Sequence, residues 1–140
     1  MAYSALNRAS RLFFYAYVMT LVGAGAWGVV FARLDLRWLI GVHLGGLRPV
    51  VEANLGNQHR FLRAMELGFG VFAWLHRDDI FRVRHVNRLF LGVMGLGIAA
   101  RLLELGLDGV PSATMLVFLG FEAAAFTLIV AATCTTLEQA

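Results

Sequence analysis

The sequence predicts an all-α integral membrane protein, a four-helix bundle with a short interfacial helix between helices one and two. Three observations carry that expectation. Of 140 residues, 59% are apolar and only 15% charged, a balance outside the range of soluble domains. The charges are also spaced to leave long runs free of them: residues 12–32 and 89–100 carry none, and 109–137 carry only Glu122. Finally, all twelve cations are arginines, most of them near segment ends, where guanidinium groups snorkel to phosphate headgroups. The length fits one domain, residues 1–140. The basic balance reads as lipid anchoring, and no nucleic-acid-binding face is offered.

The first segment, residues 11–32, follows Arg8 and Arg11 and contains Ala24-Gly25-Ala26, which resembles the cleavage site of a secretory signal. The apolar run continues through Trp27 to Ala32, so it is read as the first span. Its aromatics, Phe13, Phe14, Tyr15 and Tyr17 at one end and Trp27 and Phe31 at the other, suggest belts at the two interfaces. The next connection contains LDLRWLIGVHLGGL, which suits a short interfacial or re-entrant helix, and Gly45, Gly46 and Pro49 then break it.

Segment two, residues 57–76, carries Arg60, Arg63 and Glu66 in its first turns, so only its second half is cleanly apolar. The linker RDDIFRVRHVNR holds four arginines and leads into segment three, residues 86–106. Asp108-Gly109 allows a positive φ, and Pro111 suits the start of a helix. Segment four covers residues 112–134, and the tail TTLEQA is too short to be a domain. Four crossings would place both termini and the arginine-rich linker on one side, which the positive-inside bias assigns to the cytoplasm.

Each segment has two small residues four apart: Ala24 and Gly28, Ala64 and Gly68, Gly95 and Ala99, Gly120 and Ala124. Such pairs let helix backbones approach in lipid, where no hydrophobic force drives them together.

At 1.5 Å per residue, Arg101 and Glu104 lie within about 5 to 10 Å of the Asp108 turn and Glu122 about 15 Å below it, near mid-membrane. Arg60, Glu66, Arg101, Glu104 and Glu122 can therefore converge in the outer half of a bundle, with Asn57 and Asp108 at its rim. An unpaired charge at that depth costs about 2.5 to 3.5 kcal/mol on insertion scales, so Glu122 should face inward. One reading has Arg101 bridging Glu122 and Glu66 to set helix register. Another makes Glu66 and Glu122 an acid–base pair, with Arg101 holding one of them ionised, in a site for a lipophilic molecule. A third has the group bind a partner or a lipid headgroup. His43, His59, His76 and His85 form no metal-spaced pair and read as interface residues. No metal site, nucleophile elbow or nucleotide loop is offered.

Asn57-x-x-Arg60 opening a glycine-containing span, followed by ARLLELGLDGVPS and Glu122 midway through the next helix, resembles a widespread bacterial family of small four-span membrane proteins catalogued as a domain of unknown function. The resemblance covers roughly residues 50–130. Its most specific part is Arg101 with Asp108-Gly109, Pro111 and Glu122. It implies a four-helix fold in the bacterial inner membrane and no established activity; Glu66 and the arginine-rich linker are particular to this chain.

The functional expectation is an accessory or assembly subunit of a larger membrane complex, resting on the lipid bilayer and on other membrane subunits or copies of itself. An enzyme or carrier using Glu66 and Glu122 is the alternative. No cofactor is expected, and a bound lipid is compatible with either.

Overall fold

In the computed structural model, which describes residues 2–137, every regular element among the described residues is helical. The last three residues of the expected tail lie outside that range. α1 spans Ala2–Val30, α2 Ala32–Asp35, α3 Pro49–Leu75, α4 Asp79–Arg82, α5 Arg84–Leu107 and α6 Ala113–Leu137. α2 continues as a π-helical turn, Leu36–Ile40, which supplies the short helix expected in that connection. The turn closes on Gly41 at φ 77°, where a side chain would be strained, and the N–H groups of Gly41 and Val42 both return to the Leu36 carbonyl.

Three helical stretches, Ala5–Val30, Arg84–Leu107 and Ala113–Cys134, are long and apolar enough to cross a membrane. Four were expected, and α3 is the one that falls short. Its 27 residues suffice in length, but Glu52, Arg60, Arg63 and Glu66 lower its apolar content. α3 also begins earlier than expected. Pro49 occupies its first position, where the missing N–H costs nothing, and Glu52 lies in the first turn, favourable against the helix dipole. The turn before α6 has Gly109 at φ 101°, and α6 starts after Ser112, whose carbonyl accepts the Leu116 N–H at 3.1 Å. Pro111 thus precedes the helix rather than entering it.

The chain divides into two compact units, one from residues 1–17 and 73–140, the other from 18–72. The first has an aromatic centre. Phe14 meets Phe81 at 5.4 Å and Phe90 at 5.6 Å between ring centroids, and Tyr17 meets Phe90 at 6.4 Å, all edge-on, an arrangement the ring quadrupoles favour. Arg11 lies 4.8 Å over the Phe81 ring. Phe14 and Tyr17 are buried, so they form core and not the interfacial belt suggested for them. Their places in the row Ser10, Phe14, Tyr17, Val18, Leu21, all buried, explain why. α5 turns Asn87, Phe90 and Met94 inward, and Asn87 ties α4 down by donating to the Ile80 carbonyl at 2.8 Å. On α6, Thr127 and Thr133 donate to the carbonyls four residues back, which lets hydroxyls sit in an apolar helix.

In the second unit, glycine brings helices together. A Cβ on Gly25 would stand 2.7 Å from the backbone nitrogen of Leu67, and one on Gly70 2.9 Å from the Val22 side chain. A Cβ on Gly28 would strike the stem of Arg63. Around Gly68 and Gly120 nothing lies within 4 Å, and Gly95 makes ordinary contact with Phe126 at 3.5 Å. Of the small pairs noted in the sequence, the close approaches therefore involve Gly28, together with Gly25 and Gly70, which the four-apart spacing did not single out.

Candidate functional site

Two polar clusters stand out, one in each unit. In the first unit Arg101 on α5 meets Glu122 on α6, with Nε 3.0 Å from Oε2 and Nη2 3.5 Å from Oε1. This is the side-on, two-pronged geometry suited to a guanidinium and a carboxylate. Nη1 reaches the Met115 sulfur at 3.8 Å, and Met115 and Glu122, seven residues apart, share a face of α6. Glu122 is the more enclosed partner: its side chain is 15% exposed against 39% for Arg101. The pair cross-links the α5–α6 hairpin about four turns along α5 from Asn87.

The second cluster is tighter and more deeply set. His59, Arg63 and Glu66 fall at i, i+4 and i+7 on α3 and so lie on one face, toward which Asp35 projects from the end of α2. His59 Nε2 and Arg63 Nε both donate to Asp35 Oδ2, each at 2.7 Å, and Arg63 Nη1 donates to Glu66 Oε2. Gly28 leaves the space that the Arg63 stem fills. The side chains of Asp35 and His59 are 8% and 7% exposed, a setting in which an unpaired carboxylate would be costly. Two charge-assisted donors on one oxygen offset that cost. Arg33 and Glu52 form an outer pair at 2.8 Å.

Among the residues singled out in the sequence, Arg101 and Glu122 come together, while Glu66 takes Arg63 as its partner. Each of the two carboxylates proposed as an acid–base pair thus has its own guanidinium. Asn57, Arg60, Glu104 and Asp108 are exposed, and none of their side chains forms an ion pair or hydrogen bond among the described residues. Sequence reasoning passed over Asp35, His59 and Arg63 as site residues. The signal for two of them was present in the 59, 63, 66 spacing; Asp35 lies across a 24-residue separation from His59, which no local pattern reveals. Among the described residues no three His, Cys, Asp or Glu side chains are grouped to hold a metal ion.

No curated protein and no solved structure matches the chain. One family does, over residues 9–133, and it is described as a domain of unknown function, DUF4345. That match reaches well beyond the stretch of roughly residues 50–130 that carried the resemblance and takes in α1 and the connection bearing Asp35. An all-helical chain with three membrane-compatible helices and two charged side-chain clusters, it belongs to the DUF4345 family.

Proposed function

We propose that the protein is a small accessory or assembly subunit of the bacterial inner membrane, which joins a larger membrane complex through the outward faces of α5 and α6. The observation that carries this reading is the outer face of α5. Leu89, Leu96 and Leu103 recur every seven residues, with Gly92, Ala99 and Gly106 interleaved at the same period, and all six are exposed. Alternating large and small residues at heptad a and d positions form the seam by which a second helix packs, knob into hole. A Cβ added at Gly92 or Gly106 would meet nothing within 4 Å, so the holes are open. α6 shows a comparable outward row, Val117, Gly120, Ala124, Thr127, Ala131 and Cys134, all exposed.

In this reading α3 is the fourth crossing of a four-helix bundle. Its charges are used inside the second unit, and from Phe61 onward its outer side is apolar, with Phe61, Leu62, Met65, Val71 and Leu75 exposed. Both termini and the arginine-rich linker then face the cytoplasm.

The test is a photo-crosslinking amino acid placed at Leu96 in native membranes, with the same group at buried Met94 as control. A crosslink to a different, larger membrane polypeptide from Leu96 and none from Met94 is expected. Adducts only to lipid, or only to a second copy of this chain, would overturn the accessory-subunit reading.

A further inference from the structure

The connection that carries α2 and its π-helical turn presents a surface that the outward rows of α5 and α6 do not include. Ala32, Asp35 and Leu36 are buried, whereas Arg33, Leu34, Arg37 and Trp38 are exposed. Two contacts fasten this turn to α3: Asp35 is held by Arg63 at 2.7 Å, and Arg33 reaches Glu52 at 2.8 Å. The outward side chains therefore stand on a fixed base. Aromatic rings share the surface, with Trp27 4.5 Å from Phe31 and 6.3 Å from Trp38 between centroids, the two indoles stacked. All three are exposed, Trp38 by 71%.

The charges here are one-sided. Residues 18–72 hold five arginines against three carboxylates, Asp35, Glu52 and Glu66, an excess of two positive charges that protonation of a histidine only raises. Each carboxylate is buried or half-buried and lies on Arg33 or Arg63. Arg33, Arg37 and Arg48, by contrast, are exposed. The pairing with Glu52 does not consume Arg33, whose side chain stays 76% exposed and whose guanidinium has five N–H donors. Arg48 stands one helical turn before Glu52, its carbonyl accepting the Glu52 N–H at 3.1 Å, so the Arg33–Glu52 pair brings it to the same end of α3.

Exposed indoles beside exposed guanidiniums match the headgroup layer of a bilayer. An indole suits that depth because its body is apolar and its N–H is wet, and the guanidinium fork fits phosphate oxygens. A second copy of the chain is disfavoured, since two such faces bring like charges together. A cation seated on the indoles is opposed by the same arginines. A zwitterionic headgroup carries an ammonium beside its phosphate and gains less here than one whose only charge is negative.

We propose that this face is a docking site for an anionic phospholipid of the surrounding bilayer, whose phosphate Arg33, Arg37 and Arg48 attract and whose glycerol region lies against Trp27 and Trp38. The proposal rests on the chain lying in a membrane and not on what packs against α5.

The test uses the full chain with Trp74→Phe, which leaves Trp27 and Trp38 as the only indoles, at one chain per phosphatidylcholine nanodisc. A minor fraction of the lipid carries bromine on its acyl chains, which quenches indole fluorescence on contact. The brominated lipid is phosphatidylglycerol in one series and phosphatidylcholine in the other. Phosphatidylglycerol should quench as though enriched roughly five- to thirtyfold at the indoles, the range that one or two arginines near an anionic headgroup supply. Arg37→Gln combined with Arg48→Gln should bring the two lipids close to parity. Arg82→Gln combined with Arg88→Gln removes the same charge from the arginine-rich linker and should leave the preference in place. Equal quenching by the two lipids without these substitutions would overturn the proposal. So would an equal loss of preference in both double variants, which would show attraction by net charge alone, or quenching by neither lipid, which would assign the face to protein or water. Native mass spectrometry of the unsubstituted chain, with the two lipids in competition, reads the same preference even if a variant fails to fold.

Discussion

Replacing Gly25 by alanine tests how closely α1 and α3 approach in the second unit. The added Cβ would stand 2.7 Å from the Leu67 nitrogen and 2.8 Å from its Cα, both backbone atoms that no rotamer change can move. Gly23, two residues earlier in the same helix, has nothing within 4 Å of the equivalent position. Both substitutions gain the same helix propensity, about 1 kcal/mol for Gly to Ala, so that gain cancels in the comparison. What remains is the overpacking cost, about 1 to 3 kcal/mol. Gly23→Ala is therefore expected to be as stable as the wild type or up to about 1 kcal/mol more so, and Gly25→Ala to fall about 1 to 3 kcal/mol below Gly23→Ala. Reversible unfolding in mixed micelles, titrated with a denaturing detergent, reads the difference. Equal stability of the two variants would refute the close approach and the packing derived from it.

Further outcomes follow from the same geometry. Arg63→Met should destabilise by about 3 kcal/mol or more by leaving the buried Asp35 with His59 alone, and combining it with Asp35→Asn should cost clearly less than the sum, as a double-mutant cycle in the same unfolding assay will show. Asn87→Ala strips the Ile80 carbonyl of its buried donor and should cost about 1 to 3 kcal/mol, with faster hydrogen exchange at residues 79–83. For the Arg101–Glu122 pair, Glu122→Gln should lower stability more than Arg101→Leu combined with Glu122→Leu, since a lone guanidinium is worse placed than two apolar groups; the opposite order would show that the pair is screened.

How much of this was legible in the sequence varies by element. The long apolar helices follow from composition and charge spacing, because a run of some twenty apolar residues has few other fates. α3 was harder. Its charges lower its apolar content, and the start at Pro49 lies in a polar stretch that reads as connection until Pro49 and Glu52 are weighed as helix-start signals. Phe14 and Tyr17 were misassigned because aromatic content suggested a belt, whereas the spacing 10, 14, 17, 21 already described a buried face. The Arg101–Glu122 pair was accessible, since one short turn forces the two helices to run side by side. Asp35 was not, because pairing across a long connection depends on where α2 folds back against α3.

The central claim is that this chain lies in a membrane with the apolar faces of α3 and α5 outward and Asp35, Arg63, Glu66 and Glu122 turned onto charged partners. Spin labels at Leu89, Leu96 and Met65, introduced as cysteines in a Cys134→Ser background and reconstituted in nanodiscs, measure this most directly through collision with oxygen and with a water-soluble nickel chelate. Oxygen-rich, nickel-poor environments are expected at all three. High nickel accessibility at Leu96 or Met65 would contradict it.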